Sequence, residues 1–152
     1  MSIEQKIEEL GLELPQPPRP VGSYLPACRT GKLIFTAGQV PVRGGTPIAT
    51  GKVPDEVPIE LAQQCAQQSA LNALAAVKGL AGSLDRVSKI VRMNVYVNSS
   101  DRFTEQAKVA NGASDTLVAI FGEVGRHSRC ATGVKELPLN VPVELDLVVE
   151  IQ

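Results

Sequence analysis

The sequence predicts an α+β fold in which one mixed or antiparallel sheet carries two helices on a single face. Two long segments repeat small and apolar residues every three or four positions, as amphipathic helices do. Between them lies a segment of alternating apolar and polar residues, and a second alternating segment covers positions 141–151. The resulting order, ββ(β)-α-β-α-ββ, suits a sheet with its helices on one side.

The chain begins with a predicted short helix that runs from Ser2 to Leu10. Ser2 can cap it, with Gln5 three residues later, and Gly11 can end it. Prolines at positions 15, 17, 18 and 20 then predict a stiff connector without regular structure. By length the chain is one domain, residues 1–152, of which 1–20 form this helix and connector.

A hairpin is predicted next. Its strands cover residues 23–28 and 32–37, and its turn covers Arg29, Thr30 and Gly31. The stretch from Arg43 to Pro58 is rich in Gly and Pro, so it predicts a loop with at most a short strand.

The first long helix is predicted between Pro58 and Gly82 from a stripe of mostly small residues, Ala62, Cys65, Ala66, Ser69, Ala73, Ala76 and Leu80. Small residues on this stripe let the helix lie close to a sheet. The strand 87–97 follows, with Val or Met at 87, 91, 93, 95 and 97 on its core face, broken by Lys89. Its other face is predicted to carry Ser88, Ile90, Arg92, Asn94 and Tyr96.

The second long helix, capped by Ser100 or Asp101, is predicted from Phe103, Ala107, Ala110, Ser114, Leu117 and Phe121. The chain then predicts a hairpin of residues 129–137 and 141–151 across the turn 138–140. Alternation in the last strand places its Val, Leu and Ile residues under the helices. Glu144 and Asp146 are therefore expected on the helix-free face, which other copies of the chain would cover.

Composition excludes several classes of function. The chain has 15 basic and 16 acidic residues, no Trp, and five Phe or Tyr, which disfavours binding to nucleic acid through a basic or base-stacking surface. No apolar stretch is long enough to cross a membrane, and the N-terminus does not resemble a signal peptide. Three cysteines without a CxxC motif predict free thiols in a reducing compartment, so a cytoplasmic protein is expected.

Metal and cofactor chemistry is not expected. One histidine and scattered cysteines give no ligand spacing for a metal. His127 is interpreted as a loop or cleft-rim residue, because no neighbouring carboxylate orients it. Cys130 beside Arg129 has no base partner, so it is interpreted as strand packing.

Three blocks of sequence resemble the RidA/YjgF family (reactive intermediate deaminases, also called endoribonuclease L-PSP). They are the N-terminal Gly-x-Tyr with Ala37-Gly38-Gln39-x-Pro41, the central strand, and Arg129 followed by Leu-Pro and by Glu144 fifteen residues after the arginine. Asn111 also matches the family's second helix. The chain differs at Ala37, where many members have serine, and at Ala131, where the family has cysteine. It resembles a longer, divergent branch.

The resemblance implies a chorismate-mutase-like (ferredoxin-like) fold that forms a homotrimer with a site in each cleft between subunits. It implies hydrolysis of reactive 2-enamino or 2-imino acids to 2-keto acids and ammonia without a cofactor. Arg129 would hold the substrate carboxylate and Glu144 would manage the attacking water. Tyr24, Asn111 and Ala131 would complete the substrate site.

Two other functions stay open at this point. Family members are also described as endoribonucleases or translation inhibitors, although the balanced charge and the single histidine of this chain disfavour that activity. The departures at Ala37 and Ala131 leave a non-catalytic small-molecule-binding protein that uses the same cleft. The fold does not decide between these functions.

Overall fold

A computed structural model describes residues 1–19 and 22–152. Its helices and strands follow one another as α1 (Ile3–Glu9), β1 (Ala27–Thr30), β2 (Leu33–Thr36), β3 (Val42–Arg43), β4 (Thr46–Pro47), α2 (Ile59–Ala81), β5 (Val87–Asn98), α3 (Gln106–Phe121), β6 (Ser128–Val134) and β7 (Val143–Ile151). The first helix has the predicted capping box of Ser2 and Gln5. Residues 12–19 have no regular structure, as predicted, and Pro20 of the predicted connector lies outside the described residues.

Five strands form the main sheet in the order β1-β2-β7-β5-β6. All neighbours are antiparallel except β5 and β6, which are parallel. The predicted hairpin of residues 129–137 and 141–151 is therefore wrong, because β6 and β7 lie on opposite sides of β5. The reason is α3: a helix that connects β5 to β6 returns the chain to its starting end, which makes the two strands parallel.

The two long helices lie on one face of this sheet, and the predicted α+β, chorismate-mutase-like class is confirmed. In β7 the five apolar residues at odd positions from 143 to 151 are fully buried, while Glu144, Asp146, Val148 and Glu150 between them are partly buried. The helix at Ile59–Ala81 begins after Pro58 and ends at Gly82, as predicted. Gly82 has φ +85°, which glycine tolerates better than other residues.

Two face assignments in β5, those of Ile90 and Val91, are wrong. The register of β5 against β7 shifts twice, between Val87 and Lys89 and between Ile90 and Arg92. An extra residue at each shift moves the following side chains to the other face. Ile90 is therefore fully buried under the helices, whereas Val91 is 37% exposed. Arg92, Asn94 and Tyr96 lie on the helix-free face, as predicted.

Three local boundaries also differ from prediction. The first strand begins at Ala27, and Thr30 pairs with Leu33, so the turn is Gly31-Lys32 rather than 29–31. The predicted loop after Arg43 includes a ribbon of β3 and β4. Neither predicted cap of α3 is used: the helix begins at Gln106, after Phe103, and buried Ser100 instead accepts a hydrogen bond from the backbone of Asp55.

The backbones of the two long helices come close together at Gly112 of α3. A Cβ built on Gly112 would lie 2.7 Å from both the Cα and the carbonyl carbon of Gln63 in α2. Such a contact is too short for any side chain at position 112, so glycine sets the spacing of the helices. Asn111 and Ser114 are on the same helix, which ties their position to this contact.

In the described residues, no helix combines the length and the apolar character that a membrane span requires.

Candidate active site

Arg129 is the second residue of the edge strand β6 and its side chain points to the helix side of the sheet. It pairs with buried Met93 of β5, and side chains of paired residues share a face. Its Nη1 donates hydrogen bonds to Oδ1 of Asn111 and to Oγ of Ser114, each 2.9 Å long. Its Nη2 donates to the carbonyl oxygen of Ala107 at 3.3 Å. Side chains and backbone of α3 therefore fix the guanidinium.

The guanidinium keeps donors for a ligand. Of its five N–H groups, three are used by these bonds, and the Nε–H and one Nη2–H have no partner among residues 1–19 and 22–152. Arginine binds carboxylates through such pairs of parallel donors. Asn111, which the family resemblance places in the substrate site, contacts Arg129 directly within one chain.

His127 completes this group of residues. Its Nε2 lies 2.9 Å from Oγ of Ser114, and its Nδ1 lies 2.7 Å from the carbonyl oxygen of Gly125. Burial of the ring lowers the pKa of His127, the hydrogen bond to Gly125 opposes that change, and the cations Arg129 and Lys89 lower the pKa further. We call Asn111, Ser114, His127 and Arg129 the arginine cluster.

Glu144 lies on the helix-free face, where β7 places it beside Tyr96 of β5. Its carboxyl group rests on the backbone of Gly38: a Cβ built there would overlap Oε1 and lie 3.1 Å from Cδ. Asp146 shares this face and accepts a 2.9 Å hydrogen bond from Nδ2 of Asn94. We call Gly38, Tyr96, Glu144 and Asp146 the glutamate face.

The two carboxylates of the glutamate face differ in their surroundings. Among the described residues Asp146 has the Asn94 amide as a donor, whereas the Glu144 carboxylate has no hydrogen-bond donor. Burial raises the pKa of Glu144 above its ordinary value, and the charge of Asp146 raises it further. Burial also raises the pKa of Tyr96, with smaller contributions from Asp146 and Glu144. A carboxyl group with a raised pKa is suited to proton transfer.

Arg129 and Glu144 do not meet within one chain. They point to opposite faces of the sheet, and β5 separates their strands. Arg129 pairs with Met93 and Glu144 with Tyr96, so they are about 10 Å apart along the strands and about 10 Å apart across them. The predicted hairpin would make the strands of Arg129 and Glu144 neighbours, but β5 lies between them.

The remaining predicted site residues divide between the two edges of the sheet. Ala131 follows Arg129 on the same side of β6 and packs partly against the core. Tyr24 is 54% exposed and precedes β1, the strand at the opposite edge from β6. Cys130, interpreted as strand packing, is instead exposed on the helix-free face, where Arg92 Nη2 lies 3.2 Å from its sulfur.

Sequence reasoning missed the contribution of Ser114, Gly38 and Tyr96. Ser114 was assigned only to the apolar stripe of the second helix. One signal was available: Asn111 and Ser114 are three residues apart, which places two polar side chains on one helix face. Tyr96 could be placed near Glu144 only after the β5–β7 register was known.

The cysteines and acidic residues provide no second site. The three cysteines are free, and burial raises the pKa of Cys65 to about 11, so its thiol is unreactive. Among the described residues no three His, Cys, Asp or Glu side chains are grouped as metal ligands.

Comparisons with known proteins show the family to which the chain belongs. Residues 4–151 match the model of the family described as "YjgF/chorismate mutase-like, putative endoribonuclease". Protein TCP17 of Trypanosoma cruzi is 39% identical over 150 residues, which cover 98% of this chain and 94% of that protein. A 2-iminobutanoate/2-iminopropanoate deaminase of Dermatophagoides farinae is 27% identical over 142 residues, which cover 93% and 95% of the two chains.

Among solved structures, a protein of Shewanella oneidensis MR-1 that carries the same endoribonuclease description superposes with a TM-score of 0.94. It is 32% identical, and the match covers 99% of this chain and all of the other. Because the family model spans nearly the whole sequence and the fold agrees, the chain belongs to the RidA/YjgF family.

Proposed function

We propose that this protein hydrolyses 2-imino and 2-enamino acids to 2-keto acids and ammonia. The carrying observation is the geometry of Arg129, whose guanidinium is held by α3 and retains two donors for a carboxylate. The family membership and the imine deaminase from Dermatophagoides farinae support this assignment.

The proposed reaction needs only water and the residues of the chain. The substrate carboxylate binds to Arg129. Glu144 takes a proton from water while the water oxygen forms a bond to the C=N carbon. The electron pair of the C=N bond moves to nitrogen, which is protonated. The C–N bond of the resulting carbinolamine then breaks, ammonia leaves, and the remaining hydroxyl loses its proton to give the keto acid. An enamine first takes a proton at its β-carbon to become the imine.

For both residues to reach one substrate, the site is proposed to lie between two copies of the chain. Arg129 belongs to one edge strand of the sheet, whereas Gly38 and Tyr24 lie near its other edge, beside β2 and β1. A cyclic assembly joins different surfaces of neighbouring copies, so it can bring the edge of one copy to the opposite part of the next. A homotrimer with three such clefts follows from the family resemblance.

The activity is tested by generating 2-iminopropanoate in situ with a serine dehydratase and following pyruvate release. The protein should accelerate release beyond the spontaneous rate, and Arg129→Ala should lose most of this acceleration at low imine concentration. Equal release with and without the protein would reject the deaminase and favour a binding function for the same cleft.

The shared cleft is tested by co-expressing Arg129→Ala and Glu144→Gln chains in equal amounts. If each site takes Arg129 from one copy and Glu144 from the next, random mixing into trimers restores about a quarter of wild-type sites. If both residues act within one chain, the mixture stays as inactive as either variant. Sedimentation should give a mass of about three times 16.1 kDa.

The endoribonuclease function remains the second candidate because the matched family carries that description. The balanced charge of the chain opposes it, since RNA backbones are bound through clusters of Lys and Arg. Incubation with a labelled single-stranded RNA separates the two proposals: the deaminase proposal expects intact RNA at protein concentrations that hydrolyse imines fully.

A further inference from the structure

The only histidine of the chain is held in one tautomer. Nδ1 of His127 faces the carbonyl oxygen of Gly125 at 2.7 Å, and a carbonyl oxygen can only accept a hydrogen bond. Nδ1 therefore carries the hydrogen. In the neutral ring Nε2 is then an acceptor, and the group that faces it at 2.9 Å is the hydroxyl of Ser114. Ser114 must donate its only proton to His127.

The same hydroxyl faces Arg129, which can only donate. Oγ of Ser114 accepts from Nη1 at 2.9 Å, and Oδ1 of Asn111 accepts from the same nitrogen at the same distance. Hydrogen bonds therefore run in one direction, from Arg129 to Ser114, from Ser114 to His127, and from His127 to Gly125. Each group in this hydrogen-bond series donates to the next, so every donor between Arg129 and Gly125 has an acceptor.

This arrangement determines which part of the guanidinium is left for a ligand. Both hydrogens of Nη1 are used, so a carboxylate cannot bind in parallel to Nη1 and Nη2. The Nε–H and one Nη2–H remain, and the Nε–Nη2 side is the edge of the guanidinium that can still offer two donors. Asn111 and Ser114 thus select the side-on mode of carboxylate binding.

The direction of the bonds depends on a neutral imidazole. The groups that face the ring are the hydroxyl of Ser114 on α3, the carbonyl of Gly125, and the charges of Arg129 on β6 and Lys89 on β5. Both charges are positive, and with burial they lower the pKa of His127, which keeps it neutral at pH 7. A protonated ring would donate from Nε2 to Oγ of Ser114, which would reverse the Ser114–His127 hydrogen bond, and would place a second cation beside the guanidinium.

We propose that Ser114 and His127 are positioning residues for Arg129, which orient its Nε and Nη2 donors toward the substrate carboxylate and release them when acid protonates the imidazole. This inference rests on the proposed function, in which Arg129 anchors the carboxylate. In this proposal pH regulates carboxylate binding by Arg129, and Glu144 carries out the proton transfer.

Two substitutions of His127 test the chain of bonds. Gln can place an acceptor where Nε2 was and so keep the bond from Ser114, whereas Asn can replace only Nδ1. His127→Asn and Ser114→Ala should each raise KM for the imine about 5- to 10-fold with kcat within about 2-fold. Ser114→Ala removes a hydrogen bond to Arg129, and His127→Asn removes the bond that orients Ser114. His127→Gln should keep KM near the wild-type value. The matched control is Ser128→Ala, which changes an exposed serine beside Arg129. It should change neither KM nor kcat.

The pH profile separates positioning from mere stability. In wild type, KM should rise as pH falls below the ordinary pKa of histidine and His127 becomes protonated. His127→Gln should lack this rise. Glu144 titrates in both proteins, so the difference between the two profiles isolates the imidazole. Unchanged KM in Ser114→Ala and His127→Asn, or identical pH profiles for wild type and His127→Gln, would overturn the proposal.

A measurement without turnover distinguishes this inference from the proposed function. Because the chain has one histidine, its ¹⁵N signals need no assignment. They should report the Nδ1–H tautomer at pH 7 and a higher pKa of His127 in Arg129→Gln, which removes a neighbouring cation. Saturating 2-oxobutanoate should lower the pKa of His127 in wild type only, because a ligand that binds best to the neutral-imidazole form disfavours protonation of the ring. The Nε2–H tautomer would reject the positioning role even if imine hydrolysis is found. Absence of hydrolysis with these signals as expected would reject only the deaminase.

Discussion

The arginine cluster and the glutamate face differ in how completely one chain builds them. Arg129 donates three hydrogen bonds to α3, and one of the acceptors, Ser114, is in turn hydrogen-bonded to His127. Glu144 has no hydrogen-bond donor among the described residues and rests on the bare backbone of Gly38. The anchor is organised in the free chain, whereas the carboxylate that would do the chemistry is poorly solvated and unpaired.

The arginine cluster would contribute to the free energy of substrate binding, and the glutamate face to the free energy of activation. Organisation of Arg129 before binding reduces the entropy lost when a carboxylate is immobilised. Partial burial of Glu144 costs stability and raises its pKa, which makes the carboxylate a stronger base for taking a proton from water. The first region should therefore govern KM and the second kcat.

The largest expected effect is on Glu144. Glu144→Gln should lower kcat by about 10²- to 10⁴-fold and leave KM and the binding of 2-oxobutanoate nearly unchanged, because the shape is kept and proton transfer is lost. Steady-state kinetics and NMR titration measure the two quantities. Asp146→Asn is the matched control on the same strand face, and an equal loss of kcat in that variant would show that the choice between the two carboxylates is wrong.

Arg129→Ala should lower kcat/KM by about 30- to 1,000-fold, or about 2–4 kcal/mol, because a charge-assisted two-donor contact is lost. Most of the loss should appear in KM, in contrast to Glu144→Gln. Arg126→Ala, which removes an exposed arginine three residues earlier that pairs with Glu123, should change neither constant. A fall in kcat at constant KM would reverse the division of roles.

Gly38→Ala tests the contact between the Gly38 backbone and the Glu144 carboxylate. The new methyl group overlaps Oε1, so the flexible carboxylate must move, and kcat should fall about 10- to 100-fold. In the Glu144→Gln background the same change should have little further effect, since the two positions act through one group. Additive losses would mean that Gly38 acts independently of Glu144.

The smallest effect concerns stability. A carboxyl group whose pKa is raised in the folded protein binds more protons there than in the unfolded chain, between the unfolded and the folded pKa. Its contribution to stability therefore falls as pH rises through that range. Glu144→Gln should raise Tm at pH 7 by a small amount, and the gain should vanish below the ordinary pKa of glutamate. Thermal melts at several pH values measure it, and a lower Tm at pH 7 would contradict the cost of burying Glu144.

Local patterns predicted the elements that depend on local chemistry. The capping box at Ser2, the long helix between Pro58 and Gly82, and the alternation of β7 are each specified within a few residues. The pairing of β6 was not predictable in this way, because an apparent turn at 138–140 hides that the strands on either side of it are separated by β5. The bulges that bury Ile90 depend likewise on the partner strand.

The candidate site was predictable to a similar degree. The spacing of Arg129 and Glu144 selected both residues by resemblance, but it could not say that they point to opposite faces of the sheet. His127 and Ser114 are thirteen residues apart, and only the return of the chain after α3 brings them together. The hydrogen-bond partners of a single histidine in a loop cannot be identified from the sequence alone.

Gly112 carries a consequence for how activity can be lost. Any side chain there would collide with Gln63 and push α3 away from α2, and Asn111 and Ser114 would move with it. A substitution in the contact between the two helices would then lower substrate affinity by displacing Asn111 and Ser114. Genetic screens for inactive alleles should therefore recover changes in the interhelical contact as well as in the cleft.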